Sequence, residues 1–130
     1  MSEATEQKEI VAWFIESYPE YRRCIRVSLA GLNFGSGQRA ARMVNHVRSQ
    51  GIQEGESDIA ILLPRGGFGS LLIEHKKSDA MRGATEAQMD YIQFHNRVGN
   101  CAAVTKGISM AKHAIDQYMS LTANPATSPG

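Results

Sequence analysis

Cysteine is scarce in this chain: Cys24 and Cys101 stand far apart in separate apolar segments, with no Cys-x-x-Cys spacing and no histidine pair nearby. That excludes a disulfide-framed secreted scaffold and a thiolate zinc site, and leaves two buried free thiols as the expectation. No apolar run reaches the ~18 residues that a membrane helix requires. The N-terminus, Met1-Ser2-Glu3-Ala4-Thr5-Glu6, is acidic, so neither a membrane span nor a secretory leader is expected, and a cytoplasmic protein is. Charge of one sign is also missing, because 14 Lys and Arg stand against 13 Asp and Glu for a net charge of +1. Such a balance neither demands nor excludes nucleic acid, and any basic surface has to be local. Finally, Gly31-Leu32-Asn33-Phe34-Gly35-Ser36-Gly37 is rich in glycine but carries no Gly-Lys-Ser/Thr and no Gly-x-Gly-x-x-Gly. A nucleotide-binding loop is therefore excluded, and a flexible loop close to a substrate backbone is the better reading.

What is present is enough for one globular domain. The 130 residues are 42% hydrophobic and 21% charged, an ordinary soluble composition at a length that builds one core but not two. We expect the domain to occupy residues 1–121, followed by a disordered tail over 122–130, where Pro, Ser, Thr and Gly replace core formers.

The informative stretch is Ser57 to Lys77. Two apolar runs, Ile59-Ala60-Ile61-Leu62-Leu63 and Leu71-Leu72-Ile73, flank Pro64-Arg65-Gly66-Gly67-Phe68-Gly69, which reads as a β-hairpin reversing between Arg65 and Gly69. Side chains alternate along a strand, so Glu74 and Lys76 share a face. With Pro64 paired to Ser70 around a five-residue loop, Asp58 falls opposite Lys76 and joins that face. A register shifted by one residue would send it to the other side. Two carboxylates and an ammonium at the end of an apolar hairpin are costly unless paired or bound to an ion. Oxygen-only ligands suit Mg²⁺ or Mn²⁺, and hence phosphodiester chemistry. The competing reading is a solvated strand end with an incidental Glu/Lys pair.

The rest of the chain supplies the surroundings. Ile10, Val11, Trp13 and Phe14 recur at helical spacing from about Thr5 to Ser17, and Pro19 ends that helix. Cys24 to Ala30 alternates as a half-buried strand with Ile25, Val27 and Leu29 inward. A second helix runs from Gln38 to Gln50 and is stopped by Gly51. Arg39, Arg42 and His46 form a basic stripe on it, either a solvated face or a place to hold phosphates. Thr85-Glu86-Ala87-Gln88 is a capping box for a third helix to Val98. Cys101 to Val104 is a short apolar strand expected in the sheet centre, covered on both faces, and Ile108 to Leu121 is a last amphipathic helix with His113 solvated.

The order Gly-x-x-x-Gly-x-x-Asp, apolar strand, turn, apolar strand and Glu-x-Lys resembles the P-D…(D/E)-x-K nucleases. More narrowly it resembles the virus-type replication-repair nuclease family, VRR-NUC, through Gly51, Gly55, Asp58, Glu74, Lys76 and Gln88. The likeness runs from about Glu3 to Lys106, with Ser57 standing where the family usually has proline. It implies a restriction-endonuclease-like α/β fold, a small mixed sheet flanked by helices. It also implies that Asp58, Glu74 and the His75 main-chain carbonyl bind Mg or Mn, that Lys76 is the catalytic lysine, and that Gln88 orients within the site. Gln88 thus has two readings, capping residue and site residue. In the family a Glu is followed four residues later by Gln ahead of an aromatic-bearing helix, which Glu3, Gln7 and Trp13 match; Glu3 would act as a further ligand, with Glu6 as the alternative one turn on. Asn33, Arg39, Arg42, Lys77 and Arg82 become candidate DNA contacts. Lone-domain members, usually of phages and bacteria, resemble homodimers acting on branched DNA such as four-way junctions. The expected function is a metal-dependent, structure-selective DNA endonuclease of that kind. The alternatives are a flap- or nick-directed monomer and a non-catalytic DNA-binding module.

Overall fold

The computed structural model describes residues 1–29 and 35–124; Asn33 and residues 125–130 lie outside them. The chain begins with helix α1 (Glu3–Ser17), whose N-terminus is capped by the Ser2 hydroxyl accepting from the Thr5 amide, and which gives way to a 3₁₀ turn at Pro19–Tyr21. Strand β1 (Ile25–Val27), helix α2 (Gly37–Ser49), strands β2 (Ile59–Ile61) and β3 (Leu71–Lys76), helix α3 (Glu86–Arg97), strand β4 (Cys101–Lys106) and helix α4 (Ile108–Met119) follow. The strands lie in the order β1-β2-β3-β4. The first three run antiparallel and β4 is parallel to β3, with α3 as the crossover. This is a mixed sheet in an α/β domain, with the elements in the expected order.

The period of two along the strands sorts the core. Ile59, Ile61, Leu71 and Ile73 point to one face, where they meet Ile10 and Phe14 of α1 and Ala111, Ile115 and Tyr118 of α4. Ala60, Leu72 and Ala102 point to the other, against Tyr91 and Ile92 of α3. The first cluster is the larger, so one face anchors the sheet while the other has room for polar groups.

The hairpin differs from the expected pairing in an instructive way. Ile59 pairs with Ile73 and Ile61 with Leu71, two residues away from the expected register. Continued by one residue, this sets Asp58 opposite Glu74, not Lys76. The reversal itself takes two residues: Arg65 and Phe68 bond each other reciprocally, N to O at 3.2 and 2.8 Å, around Gly66 and Gly67 with φ of 58° and 87°. A hairpin propagated regularly from that turn would place Asp58 on the wrong face. Between the turn and the strands, however, Leu62, Leu63 and Pro64 stand against Gly69 and Ser70 alone, a bulge of one residue that restores the parity. Pro64 has no amide hydrogen to offer a ladder and belongs in such a place.

Three other expectations are corrected. β1 is a three-residue edge strand in which Ile25 packs against the core as expected, while Val27 and, beyond it, Leu29 are 46% and 48% exposed instead of turned inward. β4 is the opposite edge rather than the centre; the side-chain amide of Asn96 occupies its free side, donating to the Ala102 carbonyl at 3.1 Å and accepting from the Ala102 amide at 2.8 Å. That substitute strand blunts an edge otherwise open to pairing. The tail is not free from Thr122: the Thr122 carbonyl accepts from the Gly66 amide at 2.8 Å, and Asn124 caps the Gly67 amide at 2.9 Å. Cys24 and Cys101 are free and half-buried.

Gly55 ties the loop before β2 to α3. Its φ is +75°, and a Cβ there would sit 2.4 Å from the Ala87 carbonyl oxygen in the first turn of α3. Left-handed backbone costs an L-residue about 1–2 kcal/mol before any clash. Gly55→Ala is expected to lower stability by about 2 kcal/mol or more, read as a fall in the urea midpoint at unchanged m-value.

Candidate active site

Strand geometry brings the acidic residues together. Asp58 ends the segment leading into β2, where its carbonyl accepts from the Ser28 amide at 2.8 Å and its carboxylate from the His75 amide at 2.8 Å. Glu74 sits across from it on β3; the two are 7% and 1% exposed. Lys76, one pleat further on, places Nζ 3.4 Å from Glu74 Oε1 and donates to Gln88 Oε1 at 3.1 Å. That same amide oxygen accepts from the Thr85 amide at 2.8 Å, while the Gln88 amide donates to the Thr85 hydroxyl. Gln88 therefore caps α3 and contacts Lys76 at the same time. Its use as a cap immobilises the oxygen that holds Lys76.

Glu74 is the unusual member. Neither of its carboxylate oxygens has a hydrogen-bond partner among the described residues. Burial, and then the adjoining Asp58 charge, push its pKa from 4.5 up to about 8, against the opposing pull of Lys76. Asp58 is raised too, by burial and by the charge of Glu3, with the His75 amide working the other way. Two buried carboxylates facing each other cannot both ionise cheaply without a cation between them. Carboxylate oxygens left without a hydrogen bond, with Asp58 opposite and only the Lys76 ammonium at 3.4 Å, fit Mg²⁺ or Mn²⁺. No cluster of three or more His, Cys, Asp or Glu in ligating arrangement occurs among the described residues. That is compatible with Mg²⁺, which commonly takes one or two carboxylates and completes its shell with water and substrate phosphate.

Glu6, the alternative ligand one turn on, has its carboxylate engaged with His75 and Ser78. It accepts from the His75 ring at 2.9 Å and from the amide and hydroxyl of Ser78 at 3.0 and 2.9 Å. The Ser78 amide is the main cause holding its pKa below the usual range. A carboxylate only accepts, so His75 Nε2 carries the proton, leaving Nδ1 to accept from Thr105 at 2.9 Å in the neutral tautomer. This buried network of Glu6, His75, Ser78 and Thr105 fastens α1, β3 and β4 directly behind Glu74. It went unread in the sequence, although alternation places the His75 side chain opposite Glu74, facing the helices, where an imidazole needs polar partners. Glu3, one turn earlier and half-buried, reaches the site through its charge on Asp58. Gln7 instead lines an apolar groove with Val11, Ile15 and Val27 on the outer side of α1.

The basic residues are less gathered. Arg39, Arg42 and His46 are exposed on α2, and no hydrogen bond or ion pair among the described residues joins them to the carboxylates. Lys77 lies 3.8 Å from Asp79, and Arg82 is exposed in the loop that follows. Asn33 falls outside the described residues.

This mixed four-stranded sheet flanked by helices is a restriction-endonuclease-like α/β domain, with Asp58, Glu74 and Lys76 on its α3 face. Comparison with known proteins narrows this. One solved structure, a "VRR_NUC domain protein", matches with a TM-score of 0.76 at 26% identity, over 100% of this chain and 98% of the other. The chain is thus similar, over the full length of both, to a protein described as carrying a VRR_NUC domain. No family model matches the sequence, and no curated protein matches it. Among the described residues, no helix is long and apolar enough to cross a membrane.

The carboxylate pair has a measurable signature without metal. The folded state holds a proton on Glu74 that the unfolded chain, at 4.5, has released, so this contribution to stability is complete below the unfolded pKa and is lost as pH rises towards 8. Glu6, shifted the other way, acts only at lower pH. In EDTA the melting temperature is expected to fall between about pH 5.5 and pH 8.5. Glu74→Gln should remove most of that fall, and Mg²⁺ or Mn²⁺ should raise the melting temperature more at the alkaline end. A profile unchanged by Glu74→Gln would contradict this assignment.

Proposed function

We propose that this chain is a metal-dependent, structure-selective DNA endonuclease that hydrolyses phosphodiester bonds in branched DNA, with four-way junctions as its leading substrate and a homodimer as its working form. The observation that carries the reading is the Glu74 carboxylate, buried and without a donor, set against Asp58 and faced by a lysine that Gln88 holds in place. The likeness to a VRR_NUC domain protein over the whole chain supports the nuclease class.

In this reading Asp58 and Glu74 hold Mg²⁺ or Mn²⁺. The His75 main-chain carbonyl joins them: N–H and C=O of one strand residue point to the same side, and the His75 amide points at Asp58. When bound, the ion supplies polarisation of the phosphoryl oxygen and a more acidic water as nucleophile. Glu3 adds negative charge behind Asp58 and tightens cation binding. Lys76 stabilises charge growing on the phosphate, or positions the attacking water, and its ammonium stays in place because Gln88 is locked by the α3 cap. Arg39, Arg42, Lys77 and Arg82, with Asn33 on the glycine loop, supply DNA backbone contacts of the salt-sensitive kind. Two copies would give paired cuts across a two-fold junction.

Cleavage of four-way junction, flap, nicked and linear substrates with Mg²⁺ and Mn²⁺ tests this directly. Glu74→Ala and Asp58→Ala are expected to lower the cleavage rate more than about 100-fold, and Lys76→Ala about 100-fold, while junction affinity changes only a few-fold. Wild-type protein that binds DNA but cuts none of these substrates would leave the non-catalytic module as the answer. A strict monomer by sedimentation, cutting one strand per encounter, would favour the flap- or nick-directed enzyme.

A further inference from the structure

A recess of about 310 Å³ opens beside the carboxylates, bounded by β1, β2, the segment 50–57 and α3. Leu62, Leu72, Ala60 and the Tyr91 ring form its apolar walls, and Ser57 and Gln50 add polar atoms. Ala60 and Leu72 pair across β2 and β3 and lie on the sheet face of Asp58 and Glu74, one pleat repeat, about 7 Å, along the strands. Ser57, in the position where the family usually has proline, is only 6% exposed, and its hydroxyl has no hydrogen-bond partner among the described residues.

The charges in the recess select the ligand. Among the described residues Arg26 is its one cation, and Glu56, which accepts from the Ser28 hydroxyl and from the Gln53 amide at 2.8 Å, its one anion. Without a cationic excess, and with Asp58 next in the chain to Ser57, the recess disfavours a phosphate. Apolar walls, one aromatic ring, and a few polar atoms able to donate and accept suit a neutral planar heterocycle. We propose that this recess takes one unpaired nucleobase of the DNA substrate, turned out of the stack next to the phosphate held at Asp58 and Glu74. The inference rests on the nuclease reading above and sharpens it: selection of branched DNA comes in part from the unpaired base that such structures can supply. The cost of unstacking is least for a base that is already unpaired.

The test measures binding in EDTA, where no cleavage occurs. Two probes are compared by anisotropy: a duplex with one unpaired adenine at its centre, and the same duplex fully paired. Wild-type protein is expected to prefer the first about tenfold, a size consistent with stacking one base on an aromatic ring. Tyr91→Ala removes that ring and Ala60→Leu fills the recess; each should cut the preference below about threefold while retaining affinity for the paired duplex. Thermal melts establish that both variants are folded, and the two act on the recess by opposite changes in volume. A preference absent from the wild type, or unchanged in both folded variants, would overturn this inference while metal-dependent cleavage left the nuclease reading standing. A protein that binds neither probe and cuts no DNA would overturn both.

Discussion

Everything distinctive in this domain depends on the adjacency of two buried carboxylates. Asp58 and Glu74 face each other on one side of a sheet with little water to screen them. Burial raises both pKa values, with the Asp58 charge adding to the rise at Glu74 and the Glu3 charge to that at Asp58. A fold that isolated either carboxylate would incur less cost. The protein instead surrounds the pair with groups that reduce the strain only in part: the His75 amide on Asp58, and Lys76 beside Glu74. What is left uncompensated is a preformed demand for positive charge at one point of the sheet.

The scaffold holds that demand in place from both sides. On the α1 face, the buried network of Glu6, His75, Ser78 and Thr105 fixes β3 against α1 and β4. On the α3 face, Gln88 links the helix cap to Lys76, and Gly55 lets the loop before β2 pack on the same first turn of α3. The side chains that flank the carboxylates are thus tied to rigid elements rather than to loops. A polar cluster held in this way keeps its geometry when a substrate arrives.

Much of the domain was legible beforehand, and the failures have local causes. Helices α1, α3 and α4 were readable because an amphipathic period over a dozen residues is a strong signal, and caps such as Thr85 and Pro19 mark its ends. The strands were harder. Alternation along β1 says which side chains share a face, not how much of that face is covered, and only Ile25 reaches the core. β4 was placed centrally because it is short and apolar, whereas Asn96 protects it at the edge. The tail was assigned to disorder on composition, which does not reveal that Asn124 finds the turn amide of Gly67.

The sequence by itself determined which residues could meet. Alternation put Glu74 and Lys76 on one face of β3 and His75 on the other, and the length of the hairpin limited Asp58 to one of two faces. Which face was a tertiary decision, because a two-residue turn at Gly66 and Gly67 points Asp58 away from Glu74 and only the bulge at Leu62 to Pro64 turns it back. The partners of Glu6 are likewise a tertiary matter. Glu3 and Glu6 lie one turn apart on α1, and the packing of that helix is what brings Glu6 to His75 and Ser78. Period is a local property of the chain; register and helix packing are set by contacts between residues far apart in sequence.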